Sequence, residues 1–300
     1  MNIAFIGDSF PDSLLLENDG YPSILKKELQ LQHGKIVNIE KYTKSGVVTS
    51  DIRDLLDEKF YQTDWDYVIL HFGNFEAFPA LSKSAHKFLF NRWIKEDLRH
   101  RLKYRNRLTE YSFELKQNLR CILNDSYGVD FKISKEMYYQ HYKDVVEHLR
   151  DKGKKNIILI SLSKVDEHIN QNYNHYINDY NEAIEEISKE LSIPLVDIFD
   201  INETTNQYIY TKDGWHWNEF GHALVAKRML KEIFKVEMKN IFKYYDFPSR
   251  MEKIESKSIF KIVSKNHILR LLEIFCLKIL GTYIKCINCN KRKRGVEKDE

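Results

Sequence analysis

Residues 2–9 read Asn2-Ile3-Ala4-Phe5-Ile6-Gly7-Asp8-Ser9. Asn2–Ile6 is a short, continuous, apolar-leaning run bounded by a glycine, the pattern of a strand buried on both faces of a parallel sheet. It is too short for the apolar core of a secretory leader, and neither a basic segment nor a small-residue cleavage site accompanies it. Gly7 lets the backbone turn sharply where the strand stops. Ligands and catalytic groups of open α/β sheets gather at the carboxyl ends of strands, so Ser9 there projects its hydroxyl into a crevice. Taken alone, the stretch fits equally well a plain strand-to-loop turn with Ser9 capping a helix.

Further along the chain, apolar runs alternate with helical patterns, as in α/β proteins with a parallel sheet. Strands are predicted at Asn2–Ile6, Ile36–Glu40, Tyr67–His71, Asn156–Ser161 and Leu195–Asp197. Ile36–Glu40 alternates, which places it nearer an edge. Amphipathic helices are predicted at Tyr21–Gln32, Ser50–Lys59, Asn174–Leu191 and Glu219–Phe234. Pro194 stops the third of these just before the fifth strand. The gap from Asn74 to Lys155 is too long for a structureless loop, so a helical insertion at about 78–150, over the sheet's C-terminal edge, is expected. Within it, Lys87–Tyr111 is dense in Arg, Lys and aromatics, and a second helix falls near Lys135–Asp151. Lys87–Tyr111 reads as a solvated helix face with its aromatics inward, or as a grip for an anionic ligand or nucleic acid. The first is the expectation.

Composition narrows the classes. The net charge of +3 is too small to point to a nucleic-acid partner. The charge is unevenly spread: residues 239–300 hold 15 Lys and Arg against 7 Asp and Glu, which leaves the first 238 residues near −5. Cys121 stands alone, and Cys276, Cys286 and Cys289 cluster near the end, which is not the spacing of a secreted disulfide scaffold. A cytoplasmic protein is therefore expected. No apolar run approaches the roughly 20 residues of a membrane span. Cys286-x-x-Cys289 is half a zinc site without a second pair, and no phosphate-binding or dinucleotide fingerprint appears, so no metal or cofactor is expected.

A second motif, Asp213-Gly214-Trp215-His216-Trp217-Asn218, precedes the last predicted helix. Asp and His three residues apart in a loop can meet as carboxylate and imidazole, one fixing the tautomer of the other. His222 reads as a structural histidine. Gly7-Asp8-Ser9 resembles the first block of the SGNH (GDSL-like) hydrolase superfamily, and Asp213-x-x-His216 resembles its last, in the same order along the chain. The resemblance covers about residues 1–235. It implies a three-layer α/β/α fold with a five-stranded parallel sheet, flavodoxin-like, here with a helical insertion and a C-terminal helical tail over 236–300. It also implies Ser9 as nucleophile, His216 as general base and acid, and Asp213 as its orienting partner.

In this family two middle blocks complete an oxyanion hole. The resemblance assigns the first donor to the backbone N–H of Ser9 and the second to Gly46, which follows the second strand, although a simple turn glycine fits there as well. The third block departs from the pattern. Where the family has Gly-x-Asn-Asp, this chain reads Gly73-Asn74-Phe75-Glu76, with Phe75 at the asparagine position and Asn74 one residue early. Asn74 is expected to reach the oxyanion by a small backbone shift; otherwise only two backbone donors remain. Glu76 is either an acid at a helix start or a substrate contact. Trp215 is either a platform for a sugar ring or a core residue, as is Trp217.

These residues define acyl transfer. With water as acceptor the protein is an esterase, and the resemblance points to O-acyl, above all O-acetyl, groups of a carbohydrate. With a sugar hydroxyl as acceptor it is an O-acetyltransferase drawing on acetyl-CoA. The long insertion and altered third block resemble SGNH proteins associated with bacterial surface-polysaccharide synthesis. A third reading is a glycan-binding protein that kept the fold without the chemistry. The tail, apolar between Ser258 and Ile287 and ending in Lys291-Arg292-Lys293-Arg294, reads as a basic amphipathic helix on an anionic membrane surface or as one packed on protein.

Overall fold

The computed structural model describes residues 1–13, 20–34, 36–81, 124, 128–167, 172–211 and 213–241. The chain divides into two units, one of residues 1–80, 98–104 and 131–245, the other of 81–97, 105–130 and 246–300. The elements below belong to the first. The expected Lys87–Tyr111 segment and the amphipathic, basic part of the tail lie outside the described residues.

Five strands form one parallel sheet: β1 (Asn2–Gly7), β2 (Asn38–Thr43), β3 (Tyr67–His71), β4 (Ile157–Ile160) and β5 (Leu195–Val196). Their order across the sheet is β2-β1-β3-β4-β5, every neighbouring pair parallel. The central strands β1, β3 and β4 are buried on both faces, which is why their sequences read as continuous apolar runs. β2, the alternating run, lies at an edge and is partly exposed along its length. It begins two residues later than its sequence pattern suggests, because pairing with β1 aligns Asn38 with Asn2.

Helices α1 (Tyr21–His33) and α6 (Glu219–Glu232) pack together in one layer; α4 (Lys135–Asp151) and α5 (Tyr173–Glu190) pack in the other. Two short helices, α2 (Glu58–Gln62) and α3 (Asn74–Ala77), complete the set used below. The expected helix Ser50–Lys59 is split into a 3-10 helix, Thr49–Leu55, and α2. Asp57 explains the break: its side chain accepts the Phe60 N–H at 2.8 Å and caps a new helix.

α4 was expected as part of an insertion over the sheet edge. It is instead a structural helix of the sandwich, packed on α5 and on the 3-10 helix. Tyr138, Tyr142, Val145, Val146 and Leu149 form its buried stripe, at the spacing of one helical face. The Tyr142 ring lies on Phe72 just beyond β3, and the Tyr138 hydroxyl donates to the Phe72 carbonyl at 3.2 Å.

The glycine ending β1 is required by close approach. A Cβ at Gly7 would stand 2.1 Å from the His71 carbonyl oxygen and 2.6 Å from Pro11 Cγ. Gly7→Ala is expected to cost about 1–3 kcal/mol, as overpacking does, read as a lower urea midpoint with an unchanged denaturant slope.

Candidate active site

The site is assembled from loops at the carboxyl ends of the strands. Ser9 follows β1, Gly46 follows β2, Asn74 follows β3, and Asp213 and His216 sit in the loop before α6. The Ser9 turn is built by Asp8. Its Oδ1 accepts the Phe10 N–H at 3.1 Å, closing a small turn that spans Ser9. Its Oδ2 accepts both the backbone N–H of Asn74, at 3.2 Å, and the Asn74 side-chain amide, at 3.1 Å. One buried carboxylate thus ties the end of β1 to the end of β3. Burial pushes the Asp8 carboxyl up to about 6, against the opposing pull of the Phe10 and Asn74 hydrogen bonds and of His216.

The structure brings Ser9, His216 and Asp213 together. Ser9 Oγ lies 2.9 Å from His216 Nε2, and His216 Nδ1 lies 2.7 Å from Asp213 Oδ2. The other carboxylate oxygen of Asp213 accepts from Thr211 Oγ1 at 2.7 Å and from the N–H groups of Trp215 and His216 at 2.8 and 2.9 Å. Burial works to raise the Asp213 carboxyl, but the His216 hydrogen bond and charge, with the Trp215 and Thr211 donors, hold it below the usual value. Phe10 stacks on the His216 ring at a centroid distance of 5.3 Å and meets Trp217 edge-on at 4.5 Å. The imidazole is therefore fixed through one nitrogen and one face.

Gly46 occupies the third position of a turn closed by Val47 N–H to the Lys44 carbonyl at 3.1 Å, with φ +73°, a conformation glycine adopts without strain. Among the described residues, neither the Ser9 nor the Gly46 backbone N–H has a hydrogen-bond partner. Asn74 is placed differently from expectation. Its side-chain amide is committed to Asp8, 3 % of the residue is exposed, and its backbone N–H makes the same contact. The residue beside Gly46 is Phe75, 40 % exposed, whose ring comes within 3.7 Å of where a Gly46 Cβ would stand.

Glu76 and Trp215, each read in two ways from sequence, are both buried in the fold. Glu76 is fully buried and braces the loop after β2, its Oε1 accepting the Thr49 N–H at 2.9 Å and the Thr49 hydroxyl at 2.6 Å. Trp215 is 8 % exposed and packs edge-on against Phe78 at 4.3 Å. Trp217 is core, its indole N–H donating to Ser163 Oγ at 3.0 Å. His222 is structural, as expected: its Nδ1 accepts the Tyr21 N–H at 3.2 Å, and burial, followed by His216 and His71, lowers it to about 3. Sequence reasoning gave no role to the Asp8 carboxylate, to Phe10 or to Thr211. The first lay inside the quoted motif; the other two leave no local signal, because their contacts are made by folding. Among the described residues no group of three or more His, Cys, Asp or Glu is placed to hold a metal, and no helix is long and apolar enough to cross a membrane.

Burial, with Asp8 nearby, raises the Glu76 carboxyl to about 7 despite its Thr49 bonds and Lys132. The folded protein thus holds this proton more tightly than the unfolded chain. The stabilising contribution is fully present below about pH 4.5 and is lost as pH rises through about 7. Glu76→Gln keeps an acceptor for Thr49 and removes the titration. Its stability relative to wild type is expected to improve by on the order of 1–3 kcal/mol between pH 5 and pH 8, measured by urea unfolding across that range.

The fold has counterparts among known proteins. The model of the family described as GDSL-like lipase/acylhydrolase matches residues 3–229. A lipase/acylhydrolase from Enterococcus faecalis superposes with a TM-score of 0.52 at 16 % identity, covering 80 % of this chain and 98 % of that one. A variant of Axe2, an acetyl xylan esterase from Geobacillus stearothermophilus, gives 0.52 at 15 % identity, with 80 % and 97 % covered. The acetyl xylan esterase AlAXEase gives 0.50 at 15 %, with 78 % and 100 % covered. At these identities the likeness is one of fold. No curated protein matches the chain by sequence. The family match spans the sheet and every loop that builds the site, and the chain is an ester hydrolase of the GDSL-like lipase/acylhydrolase family.

Proposed function

We propose that the protein is a serine esterase that removes O-acyl, chiefly O-acetyl, groups from a carbohydrate, with Ser9 as nucleophile. The unbroken line from Ser9 Oγ through His216 to Asp213, at 2.9 and 2.7 Å, carries this reading. With Asp213 ionised, His216 keeps its proton on Nδ1 and presents Nε2 as an acceptor. Ser9 Oγ attacks the ester carbonyl as its proton passes to Nε2. The imidazolium then protonates the departing sugar oxygen. Water, deprotonated by the same nitrogen, attacks the acyl-Ser9 ester and frees the acid. The N–H groups of Ser9 and Gly46 are the donors to the oxyanion. Phe75 occupies the place of a third donor, so this hole is weaker by the order of 10²–10³ in rate than one with an added amide. The acetyl xylan esterases of the same fold support the choice of an acetylated carbohydrate.

The alternative reading is an acyltransferase. A sugar hydroxyl in place of water, with acetyl-CoA as donor, would use the same three side chains.

Hydrolysis of p-nitrophenyl acetate by wild type, Ser9→Ala and Asp213→Asn, each with and without glycan acceptors, tests these readings. Both variants are expected to lose about 10³-fold or more in kcat. Ser9-dependent release in water marks an esterase. Release that accelerates with one acceptor and leaves acetyl on it marks the transferase. Release that persists in Ser9→Ala rejects both.

A further inference from the structure

A cleft of about 430 Å³ opens at the carboxyl ends of β4 and β5, on the sheet edge that also carries Ser9. Lys164, Asp166, Asn174, Asn202, Gln207 and Tyr208 line it. None of them takes part in the acyl-transfer relay. The cleft is nevertheless joined to the relay through one segment. Asp166 N–H donates to the Gly214 carbonyl at 2.8 Å, Thr211 N–H donates to the His216 carbonyl at 2.7 Å, and Tyr210 bridges to Trp217. The loop that presents Asp213 and His216 is therefore hydrogen-bonded to Asp166 and continuous in sequence with Tyr208–Tyr210, which line the cleft.

Three features define what would fit. The Tyr208 ring is 53 % exposed yet held in place, its hydroxyl donating to Asp166 Oδ2 at 2.6 Å and its ring edge-on to Tyr210 at 5.6 Å. A fixed, exposed aromatic face suits the apolar face of a sugar ring. The second feature is hydrogen-bonding capacity. Gln207 carries an exposed amide, a donor and an acceptor for sugar hydroxyls. The third is charge. The lining cation, Lys164, is bound to Asp200 and Glu203, and the other charged lining residues are acids, Asp166 and Glu167 among them. Phosphate, sulfate and uronate groups meet repulsion here. The volume is in the ordinary range for small-ligand sites.

From this we infer that the cleft is a subsite for an uncharged oligosaccharide chain, which it holds while an acylated sugar of the same chain lies at Ser9. The inference rests on the carbohydrate reading above and extends it to chain length and charge.

Acetylated xylo-, manno- and chito-oligosaccharides, monomer to hexamer, provide the test. The readout is the ratio of kcat/KM for hexamer over monomer, which cancels any loss of folded enzyme. Wild type is expected to prefer the hexamer. Tyr208→Ala and Gln207→Ala are each expected to lower that ratio about ten-fold, the scale of one lost stacking or hydrogen-bonding contact. Tyr208→Phe, which keeps the ring, is expected to retain most of it. A ratio unchanged in both alanine variants overturns the subsite and leaves the esterase standing. Calorimetry of unacetylated hexamers with full-length Ser9→Ala separates the opposite failure. Binding that Tyr208→Ala abolishes supports the cleft even where no glycan is deacetylated. Absence of hexamer binding, or tighter binding of a hexauronate, overturns it.

Discussion

The carboxylate of Asp8 is the point on which the rest of the site depends. Its Oδ1 closes the turn that carries Ser9, and its Oδ2 holds two donors of Asn74. Without those bonds the ends of β1 and β3 keep only the Asp8 N–H to His71 carbonyl bond, at 3.3 Å, and the turn that carries Phe10 toward His216 loses its closure. Keeping this group buried is costly: its affinity for a proton rises to about 6. Three N–H donors and the nearby imidazole offset part of the desolvation, and burial remains the larger effect. The same bonds explain why Asn74 is unavailable elsewhere. Its amide is part of the scaffold that presents the nucleophile.

Around this anchor the protein separates its titrating groups by environment. Asp213 gathers donors from Thr211, Trp215 and His216 and stays ionised. His71, joined to the Tyr21 hydroxyl at 2.9 Å and lying against Trp217, is lowered to about 3 by burial and stays neutral. His222, on the other side of Tyr21, is neutral for the same reason. His216 thus works above a layer of uncharged rings. The carboxylate it meets directly is Asp213, the partner placed to bind its imidazolium form.

Much of this could be read from the sequence because the features concerned are local. A continuous apolar run ending in Gly7-Asp8-Ser9 specifies a buried strand and the turn that follows it. The three-residue spacing of Asp213 and His216 brings carboxylate to imidazole within one loop. The edge position of β2 followed from its alternation. What could not be read depended on contacts between distant residues. The Asp57 cap that splits a helix is visible only once the Phe60 N–H turns toward it. For Glu76 and Trp215 the sequence left a substrate contact and a structural place side by side, and the bonds to Thr49 and the packing on Phe78 that give them structural places are made only by folding. The helix Lys135–Asp151 was found by its periodicity but assigned to an insertion, since nothing local says that its tyrosines seat against the end of β3.

Covalent trapping of the nucleophile bears most directly on this view of the molecule. Treated with a fluorophosphonate, the wild-type protein should gain a single adduct, located by peptide mass mapping on Ser9. The rate of labelling should fall by orders of magnitude in His216→Ala, because the serine then lacks its base. An adduct on another residue, or labelling of Ser9 at an undiminished rate without His216, would contradict the assignment of Ser9, His216 and Asp213 as one catalytic unit.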